Sequence, residues 1–587
     1  MAVTAHTSGK PPVSEIWKKR HTAAHVMAQA VLEMFPDAKF AIGPPIEDGF
    51  YYDFELSRSL TPEDLVQVES RMKRIRRDDF PLSRSEKPRA EAIAYEEARG
   101  QNFKAELIHD LPEGETISYY TQGPFTDLCR GPHVESTGQI GVFKLDHLAG
   151  AYWRGDEKRP QLQRIYGVLF DTKEELDAYY VRLEEAKKRD HKVLGKQLKL
   201  FMTSPLVGAG LPLWLPKGAT IRRTLERYIT DVELASGYDH VYTPQIAKKD
   251  LYVKSGHWEH YKDSMFPVMK IDDEEFVLRP MNCPHHIQIY ANEMHSYRDL
   301  PIRIAELATQ NRFEKSGELS GLSRVRAMTL NDAHIFCTED QVKEEVKQCV
   351  LLVEKAYRRL GITEYTYRLS LHDPTNTEKY VDNPALWEKA EGELREVFAD
   401  LGLSYYEGVG EAAFYGPKID IQLKNVLGKE ETVSTVQVDR HLPGQFDLGY
   451  IGEDSQSHQP VMIHRGVIST MERMVAFLIE HYAGAFPTWL APVQVIVLPI
   501  VDRHKEYAEF VKTKLADAGF RVELDARNEK VGKKVAEAET QKIPYMLVVG
   551  DRDIEAGTVS VRQHGGTDLG AIPQDDFLSR LRAETKA

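Results

Sequence analysis

Cysteine is scarce in this chain: four residues, Cys129, Cys283, Cys337 and Cys349, among 587. So few, so widely spaced, exclude a disulfide framework and suit a reducing cytoplasm. Long apolar runs are missing as well. No stretch approaches the ~20 residues needed to cross a bilayer. Residues 1–13, MAVTAHTSGKPPV, lack the apolar core of a signal peptide. No membrane partner is expected. Positive charge is in deficit, with 76 basic against 90 acidic side chains. That excludes a uniformly basic coat but not a nucleic-acid partner, because binding depends on local basic stripes. Internal repeats, low-complexity segments and a Walker-type phosphate loop are all absent, so any ATP must be held in another way.

What is present falls into blocks, and the length calls for about three or four domains. Residues 1–19 read as a loose, disordered tail. Residues 20–170 combine a helical start with short β-rich pieces such as FYYDFEL and GVFKL. The segment 171–198 reads as one amphipathic linker helix: Thr172 and Glu175 fit a capping box, and Leu176, Tyr180 and Leu183 share a face. Its cationic run from Lys187 to Lys196 has two open readings, a solvated face or a track along a phosphate backbone. From 199 to 490, helices alternate with strands in a manner that suits a largely antiparallel sheet. Residues 491–587 alternate short apolar strands with helices, as in an α/β domain with a mostly parallel sheet. The fold class is α+β, multidomain.

Two pairs near the N-terminus have metal-ligand spacing. His21 and His25 in HTAAH are one helical turn apart, and Cys129 and His133 follow in DLCRGPH. A zinc set, a metal-free hydrolytic site and a plain helix start with two polar residues all fit them. In the large block, TQNRFEKSGELSGLSRVRAMTLNDAHIFC places Arg312 and Glu314 on one strand-like segment. A turn-rich connector leads to a second strand with Arg324 and Arg326. Such a hairpin can present a guanidinium to a phosphate. VMIHRGVISTMERMVAFLIE puts Arg473 on a helix whose other face is Met474, Phe477 and Leu478.

RFEKSGELSGLSRVR resembles motif 2 of the class II aminoacyl-tRNA synthetases, and GVISTMERMVAFL resembles motif 3. GYDHVYTPQI, with Pro244, is similar to the end of motif 1, which builds the family's dimer interface. RPMNCPHHIQIY, NDAHIFCTEDQ, AFYGPKIDIQL and PVMIHRGVISTMER narrow the resemblance to the threonyl-tRNA synthetase family. DLCRGPHVES and AGAYWRGD extend it into the N-terminal block, and PTWLAPVQV into the C-terminal one. The chain opens almost at the editing block, so the form without the family's N-terminal ubiquitin-like domain is expected.

The resemblance implies a function, threonine–tRNA ligase, and an architecture. Residues 20–170 would be an α+β editing domain, 199–490 a class II catalytic core, and 491–587 an α/β anticodon-binding domain. It implies one catalytic-domain Zn2+ per subunit on Cys283, His334 and His464, with Mg2+ accompanying ATP. Three protein ligands leave zinc an open position. That position would take the amino group and hydroxyl of threonine and reject valine, which an apolar pocket separates only by about a hundredfold. Asp332 would accept the hydroxyl's hydrogen bond. Arg312 and Arg473 would clamp the ATP phosphates, with Glu314 at the adenine and Arg324 as a further ATP-site residue. Tyr415, Lys418 and Gln437 match positions around the amino acid and adenylate, and His257 matches a histidine of the transfer step.

Serine carries the same amino group and hydroxyl, and one missing methyl is worth only about 1–3 kcal/mol. A second, hydrolytic site for seryl-tRNA is the physical remedy. The resemblance assigns it to His21, His25, Tyr52, Lys104, Asp127, Cys129 and His133, working without metal. Asn528, Asp553 and Arg562 match anticodon-contacting positions. The expected partners are tRNA(Thr), threonine, ATP and a second copy of the chain. The sequence departs from the family pattern at His285, Asn311, Leu330, 431–435 and Asp553. The rival reading is a non-catalytic paralogue that binds RNA in regulation; a ligase for another small or hydroxy amino acid is the second.

Overall fold

Ser14 turns the chain into its first helix: its side chain accepts the Trp17 N–H, and α1 (Glu15–Met34) follows. The computed structural model describes residues 14–156 and 158–586. The expected tail, 1–19, is therefore helical from Glu15 onward, because capping starts at Ser14, while residues 1–13 lie outside the described residues. The described chain forms two compact units, the first ending at Leu183 and the second beginning at Glu184.

In the first unit α1 buries Ala23, Ala24, Met27, Ala28 and Val31 in a core with Phe50, Tyr52, Phe54, Ile165 and Leu169. The aromatic and β-branched residues come from an antiparallel sheet. In it β1 (Gly49–Glu55) pairs with Lys39–Phe40 and Pro45–Ile46, β2 (Val142–Tyr152) forms the far edge, and β3 (Gln161–Phe170) joins β1 to β2. A small second sheet holds Leu82–Lys87, Ile117–Gln122 and Phe125–Leu128, and α2 (Asn102–Asp110) carries Lys104. Alternation along Phe125–Leu128 turns Phe125 and Asp127 inward.

The expected linker helix is two helices. Reciprocal bonds between Thr172 and Glu175 start α3 (Lys173–Arg189). The chain then breaks at Asp190, whose carboxylate accepts the Lys192 N–H at 2.7 Å and caps α4 (His191–Gln197). Leu194 and Leu198 are buried in the main core of the second unit, so α4 is part of that core and not a spacer. Lys187 and Lys188 pair with Glu184 and Glu185 on their own helix at 2.8 and 2.7 Å.

The second unit is organised by an eight-stranded sheet. Its backing helices include α5 (Pro216–Ala235), which precedes β4 (Asp239–His240), and α6 (Cys283–Tyr290) lies between strands further on. Then come β5 (Ile302–Asn311), β6 (Ala327–Cys337), α7 (Val342–Arg359), β7 (Tyr365–Leu371), β8 (Tyr405–Val409), β9 (Lys418–Lys424), β10 (Glu430–Asp439), β11 (Val461–Gly466) and α8 (Met471–His481). The strand order is β4-β5-β6-β11-β10-β9-β7-β8. It is antiparallel except at its two edges. Period-two alternation sorts the side chains. Ala333, Ile335, Cys337, Ile463, Val436 and Val438 pack against α5, α7 and α8. Asp332, His334, His464 and Gln437, from the same strands, take the other phase.

The C-terminal sheet runs Val522–Leu524, Val495–Pro499, Tyr545–Val549, Thr558–Gln563, Thr567–Pro573. Its first two pairings are parallel and its last two antiparallel, so the sheet is mixed where a mostly parallel one was expected. The two C-terminal strands follow one another through a tight turn at His564–Gly566, which permits only antiparallel pairing.

Candidate active site and hydrolytic pocket

Register writes the first site as a row across the sheet. His334 stands opposite His464, His464 opposite Gln437, and Gln437 opposite Lys418. Asp332 lies two residues along on the His334 face, opposite Glu306. Cys283, the first residue of α6, completes a triad with His334 and His464, all three buried, whose ligand atoms lie within 4.8 Å of one another. Burial, then the nearby Asp332 and Asp439, push the Cys283 thiol well above its ordinary range. Burial also pushes Asp332 up to about 6, against the pull of His286 and His464.

Three residues the sequence reading missed orient this triad. Asp439 Oδ2 accepts from His464 Nε2 at 2.9 Å, while Asp439 Oδ1 takes the N–H groups of His441 and Leu442 at 2.7 and 2.9 Å. The free nitrogen of His464 is therefore Nδ1. His286 Nδ1 meets His334 Nδ1 at 2.8 Å, leaving His334 Nε2 buried with no hydrogen-bond partner. Glu306 lies 3.3 Å behind His286. Burial pushes Glu306 up, but bonds from His286 and Thr243 and the Arg279 charge outweigh it and hold it down at about 2. Outer partners of this kind fix ring orientation at metal sites. Asp439 is legible in retrospect as the same-face neighbour of Gln437. His286 is the second histidine of CPHH.

The arginines are brought together beside this row. Arg312 donates to Pro280 O at 3.3 Å and Gln310 Oε1 at 3.2 Å; burial, then Arg473, lower its pKa. Arg473, capped by Thr470 at the start of α8, donates through Nε to Ser323 O at 3.3 Å. Two guanidiniums share this spot with no carboxylate salt bridge to either among the described residues, an arrangement that favours an anion. Arg312 and Glu314 lie just beyond the end of β5, and Arg324 and Arg326 just before β6, not within strands as expected. The ladder closes at Asn311 opposite Ala327, with one more backbone bond from Arg312 N to Arg326 O at 2.9 Å. Arg324 pairs with Glu314 at 2.8 Å.

Tyr415 donates to Gln437 Oε1 at 2.6 Å, and its ring stacks on His464 with centroids 4.8 Å apart. Lys418 Nζ lies 3.0 Å from Asp420. The Ser255 hydroxyl donates to Tyr252 O at 3.2 Å and accepts from His257 Nδ1 at 2.7 Å. His257 Nε2 is thus left as a buried lone pair. Burial, then His464, lower the His257 pKa to about 3, so the ring is neutral.

In the first unit a cavity of about 450 Å3 is lined by His21, His25, Tyr52, Lys104, Asp127 and Cys129. His133 touches Cys129 instead of lining the wall. Cys129 Sγ lies 3.2 Å from both His21 Nε2 and His133 Nε2. Behind them, His21 Nδ1 donates to Pro132 O at 3.1 Å. Thr22 Oγ1 donates to Lys18 O and accepts from His133 Nδ1 at 3.1 Å. Both rings therefore turn Nε2 lone pairs toward the thiol, and Thr22, absent from the sequence reading, is one reason. Tyr52 donates to Asp127, and Lys104 Nζ reaches Tyr52 Oη at 2.9 Å and Asp127 at 2.8 Å. Burial lowers the pKa of His21, His25 and His133 and pushes Cys129 up to about 12. The pocket thus holds neutral imidazoles and a protonated thiol, not a thiolate nucleophile.

The C-terminal positions are not drawn together. Asn528 is exposed in the loop after Val522–Leu524, and Arg562 is half exposed on Thr558–Gln563. Asp553, expected at an anticodon base, is buried. Gly550 N–H, Thr558 Oγ1 and Ser560 Oγ donate to it at 3.0, 3.1 and 3.0 Å.

Comparison with known proteins follows the same division. Residues 266–482 match the tRNA synthetase class II core domain (G, H, P, S and T). Residues 494–584 match the anticodon binding domain, and 117–166 the threonyl and alanyl tRNA synthetase second additional domain. A threonine–tRNA ligase of Geobacillus sp. (strain WCH70) is 58% identical over 97% of this chain and 88% of its own length. That of Anoxybacillus flavithermus is 56% identical over 100% and 91%. Among solved structures, the RNA binding domain of threonyl-tRNA synthetase from Cryptosporidium parvum superposes with a TM-score of 0.64 at 34% identity, covering 67% of this chain and 98% of that one.

Proposed function

The chain belongs to the threonine–tRNA ligase family of class II synthetases, which joins threonine to tRNA with ATP, and from that premise we propose how its residues divide the work. Cys283, His334 and His464 would hold one zinc ion per subunit. The observation that carries this is the orphaned His334 Nε2, buried beside a Cys283 thiol and a His464 ring whose free nitrogen Asp439 has already selected. When bound there, zinc supplies an open Lewis-acidic position suited to an amino group and a hydroxyl, which valine cannot fill. Asp332, on the same face, accepts the hydroxyl's hydrogen bond; Tyr415, Gln437 and Lys418 surround the rest of the amino acid.

Arg312 and Arg473 hold the ATP phosphates, which Mg2+ accompanies, Glu314 meets the adenine, and Arg324 is a further ATP-site residue paired with Glu314. The threonine carboxylate attacks the α-phosphorus and pyrophosphate leaves, so positioning and charge stabilisation suffice without a protein nucleophile. The ribose hydroxyl of the tRNA's last adenosine then attacks the carbonyl and AMP leaves. His257 Nε2, neutral and unpartnered, is placed to accept that hydroxyl's hydrogen bond and orient it, while its lowered pKa leaves the proton to depart on the AMP phosphate.

In the first unit, His21, His25 and Cys129 orient a water toward the ester of seryl-tRNA, with His133 behind the thiol, while Lys104, held by Tyr52 and Asp127, steadies the oxyanion. We read this site as working without metal; His21, His25, Cys129 and His133, with ligand atoms within 4.8 Å of one another, also make a chemically complete zinc set, and zinc content per chain decides between the two. Asn528 and Arg562 would meet the anticodon. Exposed Tyr242, at 94%, and Leu234 and Ile246 around the end of α5 support an interface with a second copy. Free thiols throughout suit the cytoplasm, and no helix among the described residues is long and apolar enough to cross a membrane. The non-catalytic reading is not favoured, because Arg312, Arg473 and the triad are all in place.

Pyrophosphate exchange tests the assignment. Threonine should drive it, serine weakly, and valine not at all; no threonine-dependent exchange in zinc-replete protein would overturn the reading. His25→Ala should lower seryl-tRNA deacylation about 10²–10⁴-fold with threonine activation intact. Deacylation at the wild-type rate would remove His25 from the site.

A further inference from the structure

The cationic run of the linker contains one residue that is neither solvated nor cationic in role. His191 begins α4, is 3% exposed, and lies against the connector between β5 and β6. In that connector, residues 320–323 make a tight turn: Ser323 N donates to Ser320 O at 2.8 Å, and Ser320 N to Arg324 O at 3.1 Å. Leu322 is fully buried in the main core, and the carbonyl of Ser323 receives Arg473 Nε at 3.3 Å. His191 reaches the other side of the same turn. Its Nε2 lies 3.1 Å from Leu322 N, and its Nδ1 2.6 Å from Glu480 Oε1 near the end of α8.

The tautomer follows from the partners. A backbone N–H can only donate, so Nε2 must be the acceptor and the proton must sit on Nδ1, facing the Glu480 carboxylate. The backbone is shaped for this approach. Gly321 has φ +49, and a Cβ there would fall 2.2 Å from His191 Nε2. Asp190, His191 and Glu480 are close enough to share a cation. Both ring nitrogens are already engaged, however, so the geometry supports positioning and not ligation.

We propose that His191 is a positioning residue for ATP: it fixes the 320–323 turn against α8, and so holds the connector that carries Arg312, Glu314 and Arg324 in register with Arg473. This rests on the reading of Arg312 and Arg473 as the phosphate clamp. His191 grips the turn independently of Arg473, through the amide of Leu322. Arg473 can then shift toward a phosphate without the turn losing its anchor.

Two near-isosteric variants separate the two bonds. Asparagine places an amide nitrogen near Nδ1 and keeps the Glu480 bond but cannot reach Leu322. Glutamine places an oxygen near Nε2 and keeps the Leu322 bond. Full-length protein would be compared by KM for ATP and for threonine in pyrophosphate exchange, and by hydrogen exchange of a peptide spanning 319–326. His191→Asn should raise KM for ATP about three- to tenfold and speed exchange of that peptide by a similar factor, as expected for loss of one buried hydrogen bond. KM for threonine should stay within about twofold, since the threonine row does not touch the turn. His191→Gln should restore both readouts.

Wild-type values in His191→Asn, or equal losses in the two variants, would overturn the proposal. Should His191→Asn fold poorly, Gly321→Ala tests the same contact from the other side and should give the same ATP-specific rise; a normal KM for ATP in folded Gly321→Ala would likewise overturn it. Failure of wild-type exchange with threonine would instead remove the phosphate-clamp reading, leaving the hydrogen-exchange comparison to decide the role of His191.

Discussion

Asp439→Asn replaces one oxygen by an NH2 group, and that atom is the one that His464 uses. Asp439 Oδ1 takes the His441 and Leu442 amides, and Oδ2 takes the His464 Nε2 proton at 2.9 Å. Asparagine keeps the first set with its carbonyl oxygen, so the turn into Leu442 survives. Its NH2 can only donate, which forces His464 to accept at Nε2 and to move its proton to Nδ1. Nδ1 is the nitrogen that the proposed zinc needs as a lone pair. A buried hydrogen bond to a charged group contributes about 1.5–3 kcal/mol. Loss of an outer partner at metal sites weakens binding by about 10–100-fold, or roughly 1.4–2.7 kcal/mol, so the two estimates agree. Zinc affinity of Asp439→Asn, measured by chelator competition, should therefore fall by about one to two orders of magnitude. ATP binding should be unchanged because Arg312 and Arg473 are not touched. Affinity within twofold of wild type would refute the tautomer argument.

Acid should destabilise the chain through its buried imidazoles. His21, His25 and His133 are held below the ordinary imidazole range by burial, so the unfolded chain binds more protons once pH drops below about 6.5. Their contribution is fully present above that pH and is lost as pH falls toward the lower folded values. Thermal midpoints from pH 7.5 to 5 should drop for the wild type and less for a His25→Gln, His133→Gln double variant; parallel curves would contradict this. Gly416→Ala should raise KM for threonine more than KM for ATP. An added Cβ would sit 2.0 Å from the Val438 carbonyl and push Tyr415 off His464, at a cost of about 1–3 kcal/mol. Equal effects on both substrates would place the disturbance elsewhere.

The catalytic sheet was legible because its strands carry their function in alternation. NDAHIF buries Ala333 and Ile335 on one side and presents Asp332 and His334 on the other. The motif segments then named which polar phase mattered. What was not legible depends on contacts between distant strands or on local caps. Asp439 and His286 acquire roles only once β10 and β11, or α6 and β6, are side by side. Asp553 matches a base-contacting position in sequence, but nothing local shows that Gly550, Thr558 and Ser560 donate to its carboxylate. The linker read as one helix because its periodicity continues through Asp190; the break comes from that residue's own capping bond. His191 stands inside the cationic run 187–196, and nothing local reveals that Leu322 and Glu480 converge on its ring.

On the proposed reading, selection is divided between a zinc-holding triad in the catalytic core and a pocket in the first unit that works without metal. Zinc content per chain, measured on zinc-replete wild type, Cys283→Ser and Cys129→Ser, tests that division most directly. One zinc in the wild type, lost in Cys283→Ser and retained in Cys129→Ser, is the expected result. Two per chain, or a single zinc that depends on Cys129, would contradict it.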